Sequence, residues 1–165
     1  VLVALETASR HSERVTALTL IAGAMAIPVN DALIEMSQSA PEKAYRMMTS
    51  WGHGPGAHKF DNTQPGHAFL GYGRRVMAQN DVAALHADLV ACNSYDGGKD
   101  AAASVTQPSL CLLAGKDKMT PVKFGRKMAE QISGAQCHVF ERAGHFLPAE
   151  FPIEVNDAMA TFLSR

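Results

Sequence analysis

Two short runs of this chain, Val15 to Ala22 (VTALTLIA) and Ser109 to Ala114 (SLCLLA), are apolar or β-branched at nearly every position. A strand with one solvated face alternates in polarity. A strand that is apolar throughout is covered on both faces, the condition of a parallel sheet sandwiched by helices. A third and shorter run, Cys137 to Phe140 (CHVF), suits a place nearer the edge of that sheet. Helical patterns follow the second and third runs. Thr120 and Pro121 read as an N-cap and first helical residue, with Val122, Phe124, Met128, Ala129 and Ile132 on one face until Gly134 stops the run. Pro152 opens a last helix with Val155, Ala158, Met159 and Phe162 on one face. Strand, helix, strand, helix at this spacing implies right-handed parallel crossovers and an α/β architecture built on a three-stranded parallel sheet.

Between the first two runs the chain makes an excursion, residues 28–108, far longer than the dozen or so residues a crossover needs. It has helical periodicity of its own: Asp31 to Gln38, Pro41 to Trp51, His67 to Gln79 and Asp81 to Tyr95. Gly52 to Gly66 reads as a loop by its glycines and prolines, and Gly97 to Gln107 as a flexible return. The expected organisation is therefore a core formed by residues 1–27 and 109–165, with a helical cap and return linker inserted at 28–108. The chain lacks an initiator Met, and Val1 to Arg10 reads as the body of an amphipathic helix without a preceding cap. The expectation is a chain that continues from an upstream segment.

Composition removes several classes of function. A net charge of -1 gives no electrostatic footprint for nucleic acid or an anionic membrane surface. No apolar run approaches the roughly 20 residues of a membrane-spanning helix. Three widely spaced cysteines, Cys92, Cys111 and Cys137, suggest neither a disulfide framework nor a zinc site. Burial as small apolar side chains is the expectation, in a reducing compartment such as the cytoplasm.

In a parallel sheet, functional groups gather in the loops beyond the carboxyl ends of the strands. Asp117 follows the second run by three residues and His145 follows the third by five. If these strands are neighbours, about 5 Å apart, the two side chains come within hydrogen-bonding reach. An ionised Asp beside a His holds the imidazole in one tautomer and stabilises its protonated form, the supporting role in nucleophilic catalysis. The competing reading of Asp117, as a helix cap, is weaker because Thr120 stands directly before Pro121. Gly144 supplies the freedom a sharp turn into His145 would need.

The segment Ala114-Gly115-Lys116-Asp117-Lys118-Met119-Thr120-Pro121, then Ala143-Gly144-His145, then Glu150-Phe151-Pro152, resembles the closing half of the α/β-hydrolase fold. The matching features are a Gly-x-x-Asp-x-x-Thr-Pro acid loop, a Gly-His base loop and a Glu-x-Pro lead-in to the final helix. The opening LETASRHSERVTALTLIAGA resembles the helix after the nucleophile elbow and the strand that follows, with Ser12 where family members often have Pro. The resemblance implies that Asp117 is the triad acid and His145 the general base. It also implies that the nucleophilic Ser, in its Gly-x-Ser-x-Gly turn, and the oxyanion-hole donors lie upstream of Val1. Ser9, Ser12, Ser37, Ser39, Ser50, Ser94, Ser104, Ser109, Ser133 and Ser164 all lack the flanking glycines of such a turn.

The implied parent is a serine hydrolase of esterase or lactonase type that acts on a small ester or lactone and uses no cofactor. The chain by itself is expected to be inactive. It would pair with an N-terminal partner segment or self-associate through an exposed sheet edge. Met47, Met48, Trp51 and Phe69, with Leu70 and Tyr72, are candidates for lining the substrate cavity, and packing within the cap is the competing reading for each. His53, His58 and His67 with Asp61 have no recognised metal-ligand spacing, so no metal is expected. The rival from another class is a non-catalytic module that binds a small molecule or a protein partner, with the Asp/His pair a relic.

Overall fold

The computed structural model describes residues 1–60 and 68–164. Helix α1 (Leu2–Arg10) leads into strand β1 (Leu18–Ile21). The excursion then carries α2 (Asp31–Ser39), α3 (Pro41–Gly52), α4 (Pro55–Phe60), α5 (Phe69–Met77), α6 (Val82–Ser94) and α7 (Gly98–Ser104). Strand β2 (Ser109–Ala114), helix α8 (Val122–Gln131), strand β3 (Gln136–Phe140), the short α9 (Leu147–Glu150) and α10 (Pro152–Leu163) complete the chain.

The described strands form one parallel sheet in the order β1-β2-β3. Leu18 pairs with Ser109 and Ile21 with Leu112; Leu110 pairs with Gln136 and Ala114 with Phe140. Every residue of β2 is buried, as its unbroken apolar sequence requires of a central strand. On β1, buried Leu18 and Leu20 alternate with half-buried Thr19 and Ile21. Strand β3 is the most exposed, as its shorter run suggests. Its position corrects the reading of one cysteine: Cys111 is buried, whereas Cys137, on the open edge strand, is exposed.

The two faces of the sheet carry separate cores. On one, Leu5 and Ala8 of α1, Ala101 and Ala102 of α7, and Met128 and Ala129 of α8 pack on Leu18, Leu20, Cys111 and Leu113. On the other, Leu147, Val155 and Phe162 pack on Leu110, Leu112 and Ala114. Each fully buried leucine contributes roughly 1.5–3 kcal/mol of transfer free energy. A third cluster holds the inserted helices together: Leu33, Ala44, Met48 and Leu89, with Met36, Met47, Trp51 and Met119 packed around them.

Caps and breaks follow the local chemistry. The Asn30 side chain accepts from the Leu33 amide at 2.8 Å and starts α2, and Asp81 accepts from the Ala83 amide at 2.8 Å and starts α6. Gly134 sits at φ +72° after α8, where a side chain would be strained. Two segments expected as loops carry helices among their described residues. In residues 52–66, Pro55 and Gly56 occupy the first turn of α4, the one place where a helix tolerates proline well. In residues 97–107, the run Ala101-Ala102-Ala103 favours helix, and α7 docks so closely that a Cβ on Gly98 would lie 1.7 Å from the Met25 carbonyl oxygen. The helix expected from His67 begins at Phe69 among the described residues; His67 itself, and Asp61, lie outside them.

Candidate active site

The loops that carry Asp117 and His145 leave adjoining strands and are clasped together. Beyond the last paired residues of β2 and β3, the Gly115 amide donates to the Phe140 carbonyl at 2.9 Å and the Lys116 amide to the Ala143 carbonyl at 2.8 Å. The clasp leaves no room at Gly115, where a Cβ would lie 2.6 Å from the Glu141 carbonyl oxygen. Asp117 and His145 are thereby brought face to face at the carboxyl edge of the sheet.

The Asp117 side chain is 1% exposed and has hydrogen-bonding partners on both oxygens. Oδ1 accepts from the Met119 amide at 2.7 Å and the Thr120 amide at 2.8 Å. Oδ2 faces His145 Nδ1 at 2.9 Å and the Thr120 hydroxyl at 3.1 Å. A carboxylate accepts only, so Nδ1 carries a proton, and in the neutral imidazole Nε2 keeps the lone pair. The His145 side chain is 28% exposed, and Nε2 has no partner among the described residues. A buried carboxylate thus holds the imidazole in one tautomer.

The enol-lactonase from Burkholderia xenovorans LB400 superposes with a TM-score of 0.87 over 99% of this chain and 62% of its own, at 18% identity. An esterase from Exiguobacterium antarcticum gives 0.85 over 99% and 63%, at 19% identity. A thermophilic esterase gives 0.80 over 98% and 61%, at 25% identity. The chain has the α/β-hydrolase fold. It spans about three fifths of the length of these structures. No protein-family model matches the sequence, and no curated protein matches it.

Within this α/β-hydrolase fold, Thr120 does a different job from the one its sequence suggests. It does not cap α8, whose first turn has no side-chain cap. Asp117 Oδ1 instead ties the backbone at Met119 and Thr120, and the Thr120 hydroxyl turns inward to the Ala22 carbonyl at 2.7 Å and His145 Nδ1 at 2.9 Å. Ala22 lies at φ +47°, a left-handed conformation that costs a non-glycine residue on the order of 1–2 kcal/mol. It is held by its amide, which donates to the Leu112 carbonyl at 2.8 Å, and by Thr120 on its carbonyl. Hydrophobic and helical periodicity carry no trace of this arrangement. The signal that was available is that Thr120 is three residues from an acid and directly before a proline that starts its helix unaided.

Gly144 also differs from expectation. Its φ is not positive; the position needs glycine because a Cβ would lie 2.3 Å from the Gly54 amide nitrogen and 2.5 Å from the His53 carbonyl carbon. The requirement is close approach of the α3–α4 connection, not turn geometry.

A cavity of about 350 Å³ opens beside His145 and Thr120, walled by Ile27, Leu33, Met48, Trp51 and Leu89. Of the residues expected to line a substrate site, Met48 and Trp51 lie on this wall. Met47 packs into the cap core. Phe69 borders a different cleft, with Pro55, Lys116 and Phe151, and Tyr72 is 63% exposed. Cys92 and Lys118 also reach the cavity. Burial pushes the Cys92 thiol up, the direction opposite to that of an activated nucleophile. No serine lies among the described residues of the wall. His53 Nδ1 bonds the Thr49 carbonyl at 2.9 Å and His58 Nε2 the Ser50 carbonyl at 2.9 Å, so each has a ring nitrogen committed to backbone.

Proposed function

We propose that this chain supplies the acid and base of a serine hydrolase of esterase or lactonase type, and that the nucleophilic serine belongs to a preceding segment of the intact parent. The observation that carries the reading is the 2.9 Å Asp117–His145 hydrogen bond, at the carboxyl edge of two adjoining parallel strands and beside an apolar cavity. Asp117 keeps the Nδ1 proton in place, so His145 Nε2 takes the proton of the serine hydroxyl as its oxygen attacks the ester or lactone carbonyl. His145 then returns that proton to the leaving alkoxide. In the second half, Nε2 takes a proton from water, the resulting hydroxide adds to the acyl-enzyme, and the serine oxygen leaves with the proton His145 gives back. Met48 and Trp51 favour an uncharged, largely apolar acyl group.

Similarity to an enol-lactonase and to esterases supports the reaction class, and covering about three fifths of those chains supports a contribution from elsewhere in the parent. Losing the nucleophile costs a triad hydrolase about a millionfold in turnover, so the isolated chain is inactive by this route. The preceding segment pairs with the outer edge of β1, and in its absence copies of the chain associate there. The protein works in the cytoplasm, in keeping with its cysteines.

A serine-directed fluorophosphonate probe tests this. The chain alone is not labelled, and a polypeptide extended upstream through a Gly-x-Ser-x-Gly turn is. Labelling of the chain alone refutes an external nucleophile; labelling of neither assigns the cavity to ligand binding without catalysis.

A further inference from the structure

The base loop is fastened to the cap as well as to the sheet. Residues 52–54, at the junction of α3 and α4, lie against residues 144–146: the Phe146 amide donates to the Gly52 carbonyl at 3.0 Å, and the rings of His53 and Phe146 meet at a tilt of 43° with centroids 4.7 Å apart. One carboxylate spans the seam. Glu150 Oε2 accepts from the Gly54 amide at 2.9 Å, across 96 positions of sequence, and Oε1 accepts from the Gly144 amide at 3.0 Å. Burial pushes the Glu150 carboxyl up, and the two amides and His53 work in the opposite direction. Neither glycine has room for a methyl group. A Cβ on Gly54 would lie 2.7 Å from Glu150 Oε2 and 2.8 Å from the Gly144 amide nitrogen.

From this seam we infer that Glu150 is a positioning residue that locks the cap to the base loop, so that the bond between His145 and Asp117 depends on the cap being seated. The inference rests on the reading of those two residues as base and acid. Gly144 immediately precedes His145, and its amide direction sets the path on which the imidazole enters the site. Two oxygens of one rigid, planar group fix the separation of the Gly54 and Gly144 amides, which no pair of independent side chains would do as well. A displaced cap drags Glu150, and Glu150 drags Gly144. The acid loop is tied to β3 itself through the Gly115 amide on the Phe140 carbonyl, so it follows the base loop less than His145 does.

The test uses the chain itself, labelled with ¹⁵N-histidine and uniformly with ¹⁵N. In the unsubstituted protein the His145 Nδ1 proton is visible and slow to exchange. Glu150→Gln keeps the shape of the side chain but turns an amino group toward one of the two amides, donor against donor. Exchange of the His145 Nδ1 proton and of the Gly54 and Gly144 amides then accelerates roughly tenfold or more. Gly54→Ala spreads the seam from the cap side with Glu150 intact, and accelerates the His145 proton likewise. It decides the matter should Glu150→Gln fail to fold. Unchanged His145 exchange in a folded Glu150→Gln protein, or in Gly54→Ala with its cap amides loosened, overturns the inference. If the unsubstituted protein shows no protected Nδ1 proton, the acid–base reading itself falls, and the inference with it.

Discussion

Replacing Asp117 by Asn separates the tautomer of His145 from the stability of the loop that holds it. In the native site both carboxylate oxygens are engaged: Oδ1 accepts from two backbone amides and Oδ2 from His145 Nδ1, with the Thr120 hydroxyl oxygen 3.1 Å away. An amide side chain offers one acceptor oxygen and one NH₂. With the NH₂ toward Met119 and Thr120 it meets two backbone N–H groups that have no alternative, leaving buried donors unsatisfied at about 1–3 kcal/mol each. With the NH₂ toward His145 and Thr120 it meets two groups that can accept. The imidazole does so by moving its proton from Nδ1 to Nε2. The second arrangement wins, and its stability cost is about 1–2 kcal/mol, the loss of charge assistance on the two amide bonds. An Nε2–H imidazole cannot take a proton at Nε2. On the proposed hydrolase reading, turnover of the intact parent therefore falls by about 10⁴, the size of effect a wrong tautomer has in serine proteases. Histidine ¹⁵N shifts of the chain report the tautomer directly, and urea titration reports the stability. Retention of the Nδ1–H form in Asp117→Asn, or turnover within about tenfold of the unsubstituted parent, refutes the reasoning.

Two further outcomes follow from the same loops and strands. Gly115→Ala drives a methyl group into the Glu141 backbone, at 2.6 Å from its carbonyl oxygen, so it prises the acid loop from the base loop and costs about 1–3 kcal/mol by urea titration; a midpoint unchanged within error contradicts the clasp. Iodoacetamide at pH 8 modifies exposed Cys137 in the native protein and leaves Cys111 intact, since Cys111 is buried and burial pushes its thiol up to about 12; mass spectrometry showing Cys111 alkylated first would contradict the order of the strands.

How much of this was legible in the sequence depended on whether the signal was local. Strand β2 announced itself because a run buried on both faces is apolar throughout, and α8 and α10 because their buried faces repeat every three to four residues. The positions of Asp117 and His145 could be inferred because each follows a recognisable strand. Cavity-lining residues were harder. Met47 and Met48 are adjacent, yet one packs inside the cap and the other reaches the cavity, a division that depends on how α3 is rotated against α2 and α6. Helix α7 was missed because its single turn or two of alanines has little amphipathic pattern, and its stability comes from docking against Met25 and α1. Thr120 and Gly144 were noticed for the wrong reasons. Capping and turn preferences are local statements, whereas the partners of these residues, Ala22 and the 52–54 turn, are about 90 or more positions away in the chain.

Asp117 and His145 are only 28 positions apart, carried by one strand–helix–strand unit, whereas the register of β1 on β2 must wait for the whole excursion to be accommodated. Contacts of short sequence separation close at lower entropic cost, so this unit can assemble before the roof above it is in place. Exchange of one roof for another would leave the pairing of the two strands intact, whereas the seating of the imidazole, on the inference drawn from Glu150, would follow the new roof. The constraint on any such exchange lies at the glycine-lined junction: a replacement roof must present a bare backbone there, or the base loses its anchorage from above.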